Sequence, residues 1–289
     1  MLSDGVHPSL SRRAFAKKLA VGVASLAALP VLGEPATKRI DRFGFIAGIV
    51  SKELKQDWRS TLKKAVDYGF SEIETGSIYG DSAPAFLSFC SQIGLKVIGG
   101  GGFSLSVNPN KIGPKLDNLN ALNARYAVVY WPWLVSGPFT LSDCQRSAEL
   151  LNKLGEQCKQ RGLTLCWHNH DKEFIAMEAG LPFDYLMAYT EPDLVKCEMD
   201  LYWVAKGGAD PLAMLRKYSG RYTILHVKDM ALGPEQNFAC PGSGIIDFKH
   251  LIAEACKQGI RHFMVERDNV VDGLTCLQTS GEYLRRLRF

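Results

Sequence analysis

His168 and His170 stand two apart at the end of the apolar run LTLCWH, and Glu173 follows three positions after the second. Other apolar runs end in the same manner: in Glu74, in Tyr130 and Trp131, in Asp200, in His226 with Lys228 close by, and in Glu266. Imidazole combined with carboxylate suits Mn2+, Zn2+, Co2+ or Fe2+ better than Mg2+ or Ca2+, which favour all-oxygen ligands. His168, Asp200, His226 and Glu266 are therefore the candidate ligands of one divalent ion, and either His168 or His170 can supply the first imidazole. An ion with room for substrate oxygens polarises a carbonyl or holds a diolate. Around it, Glu173 and His170 are candidate proton carriers, Glu74 is a further carboxylate, and Lys228 is a candidate donor to a developing oxyanion. Lys228 reads equally well as a salt bridge at a rim, with Asp229 beside it. Trp131, Trp133, Trp167 and Trp203 lie next to these positions and suit the walls of a sugar site, with at least two of them expected in the core.

Positioning four such ligands together requires elements that all end at one place. Strand patterns occur at 43–49, 71–75, 95–100, 126–131, 163–168, 195–200, 222–227 and 262–266. Helical patterns lie between them. WRSTLKKAVDYGF places Leu62, Ala65, Val66 and Tyr68 near helical spacing, and DCQRSAELLNKLGEQCKQRG and DFKHLIAEACKQG end on Gly162 and Gly259, which are helix stops. Eight strands alternating with helices over some 250 residues predict a single (β/α)8 TIM barrel rather than an open doubly wound sheet, because no GxGxxG turn is present. A barrel of this kind carries its active site at the C-terminal ends of its strands. That is where the polar residues named above fall. The Gly99–Gly102 run reads as a loop after the third strand, either approached by a ligand or simply mobile.

The first 37 residues differ from the rest. Arg12 and Arg13, with Ser11, Phe15 and Lys17, precede a mildly apolar Ala/Val/Leu run, the pattern of a twin-arginine export signal. This predicts residues 1–37 as signal and linker, 38–289 as the catalytic barrel, the twin-arginine export machinery as a partner, and a periplasmic or exported location. No run of 18 apolar residues exists to span a membrane. Of the net charge of +4, the four basic and two acidic residues of the first segment account for +2, leaving only +2 for the barrel. So weak a balance gives no footprint for nucleic acid. The eight cysteines form no CxxC pair and lie mostly in apolar patterns, so they read as small buried residues with at most one or two disulfides among them.

The motifs WHNHDKEF, CEMDLYWVAKGGADP, LHVKDM, GSGIIDF and FMVERD, in that order, resemble the sugar phosphate isomerase/epimerase family with the xylose-isomerase-like barrel, in its HNHDxEF subgroup. The resemblance covers the chain from about Phe43 onward. It implies one divalent ion at the ends of strands five to eight, with Asp200, His226 and Glu266 matching the family's aspartate, histidine and last glutamate. Many epimerases of the family carry a glutamate where this chain has His168. Exchange of a proton between two carboxylates on opposite faces of the substrate is therefore not available here unless Glu173, Glu74 or His170 substitutes. The expected function is a metal-dependent sugar isomerase or epimerase that abstracts a proton next to a carbonyl. The alternative is a lyase or hydratase of 3-keto-glycosides or related keto-sugars, which export and the absence of a phosphate cradle both favour. A nuclease of the apurinic endonuclease kind and a non-catalytic sugar-binding protein are the remaining classes. The partner in either enzymatic reading is a small carbohydrate; homo-oligomerisation is left open.

Overall fold

Parallel strands covered on both faces read as nearly continuous apolar runs, and that is the pattern that organises this chain. The computed structural model describes residues 38–106, 111–178 and 180–289. Residues 1–37, with the export signal expected there, lie outside the described residues. Eight parallel strands close into a barrel: β1 (Gly44–Ile46), β2 (Glu72–Glu74), β3 (Lys96–Ser104), β4 (Tyr126–Trp131), β5 (Thr164–His168), β6 (Val195–Asp200), β7 (Tyr222–Val227) and β10 (His262–Val265). They follow one another round the wall, and β10 pairs with β1 to close it. The helices that cover the wall are α1 (Ser51–Asp67), α2 (Ala83–Gln92), α3 (Gly113–Ala121), α4 (Leu141–Gln160), α5 (Pro182–Tyr189), α6 (Leu201–Lys206), α7 (Pro211–Lys217), α8 (Phe248–Lys257) and α9 (Gly273–Arg286). No helix among the described residues is long and apolar enough to cross a membrane.

Three local outcomes differ from the sequence expectation. β1 stops at Ile46 because residues 47–50 turn as a 3-10 helix into α1. The Gly99–Gly102 run is not a loop but part of β3, which continues to Ser104. Close approach explains these glycines: a β-carbon at Gly100, where φ is +146°, would lie 2.4 Å from the Thr75 carbonyl carbon. An unforeseen two-stranded ribbon, β8 (Asp229–Met230) with β9 (Phe238–Ala239), follows β7. Asp229 anchors the chain beyond it. Its buried carboxylate accepts backbone N–H bonds from Met230, Gly242, Gly244 and Ile246, at 2.8, 3.0, 2.9 and 3.1 Å. A Cys240–Cys276 disulfide ties this loop to α9, and the other six cysteines are free.

The barrel interior is layered. At its floor Glu72 meets His262 Nδ1 at 2.9 Å and Arg42 Nε at 3.4 Å. Above that an apolar plug of Ile98, Val128, Cys166, Ile224 and Met264 keeps water out of the tube. The polar residues of the mouth sit on this dry base, where charge interactions are strong and unpaired charges costly.

Candidate metal centre and active site

Strand register sets the first level of the site. His168 on β5 is opposite Glu198 on β6, and Asp200 two residues on is opposite His226 on β7. Because side chains alternate across a strand, Glu198 and Asp200 share the inward face. Glu266 follows β10 directly. The result is that ligand atoms of His168, Asp200, His226 and Glu266 all lie within 4.8 Å of one another, every one of them on a buried residue.

The backbone holds this group firmly. Asp200 caps α6, its Oδ1 accepting from Trp203 N at 2.9 Å. Asn169 clamps the same residue through a reciprocal pair, donating to Asp200 O and accepting from Asp200 N. The other carboxylate oxygen of Asp200, Oδ2, is buried without a hydrogen-bond partner and faces His168 Nε2 at 3.9 Å and Lys228 Nζ at 3.7 Å. A buried carboxylate oxygen left bare is costly, and a cation between it and the imidazole removes the cost. Two imidazoles with two carboxylates suit zinc and its neighbours Mn2+, Co2+ and Fe2+. The residues present fit such an ion.

Electrostatics point the same way. Glu74, Glu198, Asp200 and Glu266 crowd around two imidazoles and one ammonium in a dry interior. Burial, with Glu74 next in importance, pushes Glu198 up to about 8. Burial also pushes Asp200 up to about 8, although Lys228 opposes it. His226 is raised well above its ordinary value: burial works against its charge, but Glu198, Glu266 and Glu74 outweigh that. Burial, with His226 and His170 adding to it, lowers His168 far below the usual imidazole range.

Lys228 does not pair with Asp229. Its buried ammonium is 2.5 Å from Asp268 Oδ2, 3.4 Å from Glu266 Oε1 and 4.6 Å from the centre of the Trp203 ring. Glu74 is likewise buried; its Oε2 is 3.1 Å from His226 Nε2, and its Oε1 receives the Tyr130 hydroxyl. Tyr130 and Glu74 in turn line a cleft of about 530 Å3 at the mouth, together with Ser51, Lys55, Ser77 and Gly102. Tyr130 keeps its proton, since burial and then Glu74 raise it well above the ordinary phenol value.

His170 lies beyond the end of β5 rather than on it, yet its ring is 4.9 Å from that of His168 and 5.4 Å from each of Trp131 and Trp203. Its Nδ1 has no partner, and burial lowers it to about 4, so it is a neutral imidazole at ordinary pH. Glu173 is not an open loop carboxylate. It is wholly buried in a 3-10 turn, with Oε1 accepting from Trp133 Nε1 at 3.0 Å and Oε2 from His170 N at 3.2 Å. Burial raises it to about 8 against those two bonds. Trp133 and Trp167 are core residues, whereas the partly buried Trp131 and Trp203 flank His170. Two residues at the centre had been given no role on sequence grounds, Glu198 and Asp268. Inward parity with Asp200 is the signal that identifies Glu198.

Comparison with known proteins now bears on this geometry. Residues 62–286 match the family described as xylose isomerase-like TIM barrel. The chain belongs to that family. Among its relatives, an inosose dehydratase of Geobacillus kaustophilus (strain HTA426) is 23% identical over 266 residues, covering 78% of this chain and 86% of that protein. An inosose dehydratase of Lacticaseibacillus casei is 30% identical over 127 residues, and there the match spans 38% of this chain and only 42% of the relative's length. In shape the family member at hand is similar to a sugar phosphate isomerase/epimerase from Parabacteroides distasonis ATCC 8503, with a TM-score of 0.71 at 21% identity over 86% of this chain and 97% of that one. It is also similar to the IOLI protein with a bound zinc atom, with a TM-score of 0.66 at 14% identity over 83% and 95% of the two chains.

Proposed function

We propose that the protein is a metal-dependent enzyme that removes the proton next to the carbonyl of a keto-sugar or keto-cyclitol, with loss of a β-substituent as the outcome. His168, Asp200, His226 and Glu266 would hold the ion. Such an ion supplies positive charge that polarises the carbonyl and offsets the charge developing as the neighbouring carbon loses its proton. The protein's own groups account for the proton movements. The observation that carries the reading is the placement of His170, a partly buried neutral imidazole between Trp131 and Trp203, while Glu173 close by has both oxygens engaged. One base suffices for elimination, whereas epimerisation needs a base on each face.

On this reading the His170 imidazole takes the α-proton, and Trp131 and Trp203 on either side of His170 flank the ring of the substrate. Lys228, beside Glu266 and Asp200, donates to the enolate oxygen. The protonated His170 then gives that proton to the departing hydroxyl or glycosidic oxygen, and Tyr130, held by Glu74, lines the edge of the cleft. The similarity to two inosose dehydratases supports elimination. A 1,2-proton shift in an aldose or ketose is the second reading, since one imidazole can return the proton on the same face; the isomerase/epimerase neighbour supports it. We propose further that residues 1–37 act as a twin-arginine export signal. An exported enzyme meets free keto-glycosides rather than phosphorylated sugars.

The test is incubation of the Mn2+- or Zn2+-loaded protein in D2O with free sugars, sugar phosphates, keto-cyclitols and 3-keto-glycosides, followed by NMR. Release of water or an alcohol, with deuterium uptake next to the carbonyl wherever proton removal is reversible, is the expected result. Exchange without release selects the isomerase reading. Absence of both exchange and release with every substrate refutes proton abstraction.

A further inference from the structure

Glu198 is a fully buried carboxylate at the centre of the site for which the ligand set has no use. Its Oε1 lies 3.2 Å from His168 Nδ1 and 2.9 Å from His226 Nε2. In both rings that is the nitrogen remote from the other ligands. His168 turns Nε2 toward Asp200 Oδ2, and His226 turns Nδ1 toward Glu266 Oε2 at 2.6 Å. One oxygen has two lone pairs, and here it meets one N–H position on each imidazole. A neutral imidazole ligates through one nitrogen and carries its proton on the other, and the partner of that proton decides which nitrogen is free.

We propose that Glu198 is the shared positioning residue of both metal-ligating histidines, fixing Nδ1–H on His168 and Nε2–H on His226. This leaves His168 Nε2 and His226 Nδ1 for the ion. The inference rests on the four-residue metal centre and adds the residue that orients it. At His226 Glu74 shares the part: its Oε2 is the hydrogen-bond partner of Nε2 at 3.1 Å, and Glu198 Oε1 stands beside it as an ion-pair contact at 2.9 Å.

The same atoms admit a competing use. Ligand atoms of Glu74, Glu198 and His226 also lie within 4.8 Å of one another and have the makings of a second, deeper ion site. That use requires Nε2 of His226 to bind an ion while Nδ1 binds another, which strips both protons from a single imidazole. It also places His168 Nδ1–H against an oxygen already committed to a cation. A proton on Nε2, shared between two carboxylates, satisfies every one of these distances without either cost. The strand register supplies the reason that one residue reaches both rings: Glu198 is opposite His168 and one inward position below Asp200, which is itself opposite His226.

The experiment uses the full chain with Zn2+ as the probe. Zinc is titrated against a chromophoric chelator in wild type, Glu198→Gln and Glu198→Leu. Long-range 1H–15N spectra of 15N-histidine protein, assigned with single histidine variants, report the tautomers. Expected are one Zn2+ per wild-type chain, a protonated Nδ1 on His168 and a protonated Nε2 on His226. Glu198→Leu should weaken zinc about 10–100-fold, the range for loss of a group behind a ligand. Glu198→Gln, which keeps an acceptor oxygen, should recover most of that loss. Opposite tautomers in the wild type overturn the proposal even if neither variant folds. So does undiminished affinity in Glu198→Leu, or two Zn2+ per chain falling to one in both variants. A wild type that binds no zinc instead removes the metal centre itself, and that result is read before any variant is made.

Discussion

Asp200→Asn separates what the metal centre does from what the fold needs. Asparagine caps a helix about as well as aspartate, so the bond from Trp203 N to Oδ1 survives, and the clamp of Asn169 acts only on the Asp200 backbone. The change falls on Oδ2, which becomes an amide nitrogen facing His168 Nε2 and Lys228 Nζ. In the metal-free protein this should cost nothing at high pH. The Asp200 carboxyl is raised to about 8 by burial, so its ionisation burdens the folded state increasingly as pH climbs from the unfolded carboxyl's range toward 8. A neutral amide has no such burden, and at pH 8 metal-free Asp200→Asn should melt no lower than metal-free wild type. The metal-dependent part behaves oppositely. An ion present at 1,000 times its dissociation constant stabilises the fold by about 4.1 kcal/mol. In a domain of this size that raises Tm by roughly 8–16 °C. Loss of an anionic ligand should cost at least the ~100-fold that an outer-shell group can cost. At the same ion concentration the variant then gains about 1.4 kcal/mol, roughly 3–6 °C. The assay is differential scanning calorimetry with and without Zn2+ at pH 8. Equal zinc shifts in the two proteins would refute Asp200 as a ligand, and a metal-free variant that melts far lower would show that the carboxylate is needed by the fold itself.

Glu173→Gln must set an amide N–H against either Trp133 Nε1–H or His170 N–H, which leaves a buried donor unsatisfied at a cost of about 1–3 kcal/mol. Thermal denaturation should register that loss while turnover falls less than about 10-fold; a drop of about 10²–10⁴ with unchanged Tm would instead make Glu173 the base. His170→Ala should retain zinc, measured by metal analysis, and lose about 10²–10⁴ in kcat; retention of full activity would exclude His170 as the base. Because burial lowers His170 to about 4, the imidazole remains neutral down to that pH. The acid limb of kcat/KM should accordingly fall near pH 4, and a limb near the ordinary imidazole value would show that His170 is not the group observed.

Most of the barrel was legible because the physics of a parallel barrel is repetitive. Each strand is buried on both faces, so six of the eight runs read as strands with ends correct to within one residue. β1, which stops three residues early, and β3 were the exceptions. Glycine in sequence means conformational freedom, and only the packing of Gly100 against Thr75 reveals that here it means contact. The β8–β9 ribbon was invisible for another reason: two residues per strand carry no periodicity, and what holds the segment is the Asp229 carboxylate gathering N–H groups up to 17 residues away.

The clustering of His168, Asp200, His226 and Glu266 was legible by one rule, that polar residues closing barrel strands face a common mouth. The same rule, applied only to the last residue of each strand, overlooked Glu198. Two-residue alternation puts it on the face of Asp200, and a charged residue at an inward position of a barrel strand can be kept only if something inside requires it. Glu173 went the other way. Three positions after His170 it reads as a loop acid able to carry a proton at the mouth, because chain distance says nothing of direction. Its direction is set by Trp133, which arrives from the loop after β4, 40 residues earlier. The residues proposed to bind an ion are thus marked by where strands end. Those that orient the binders are marked by which partner their second oxygen or nitrogen meets, and that partner lies on another strand.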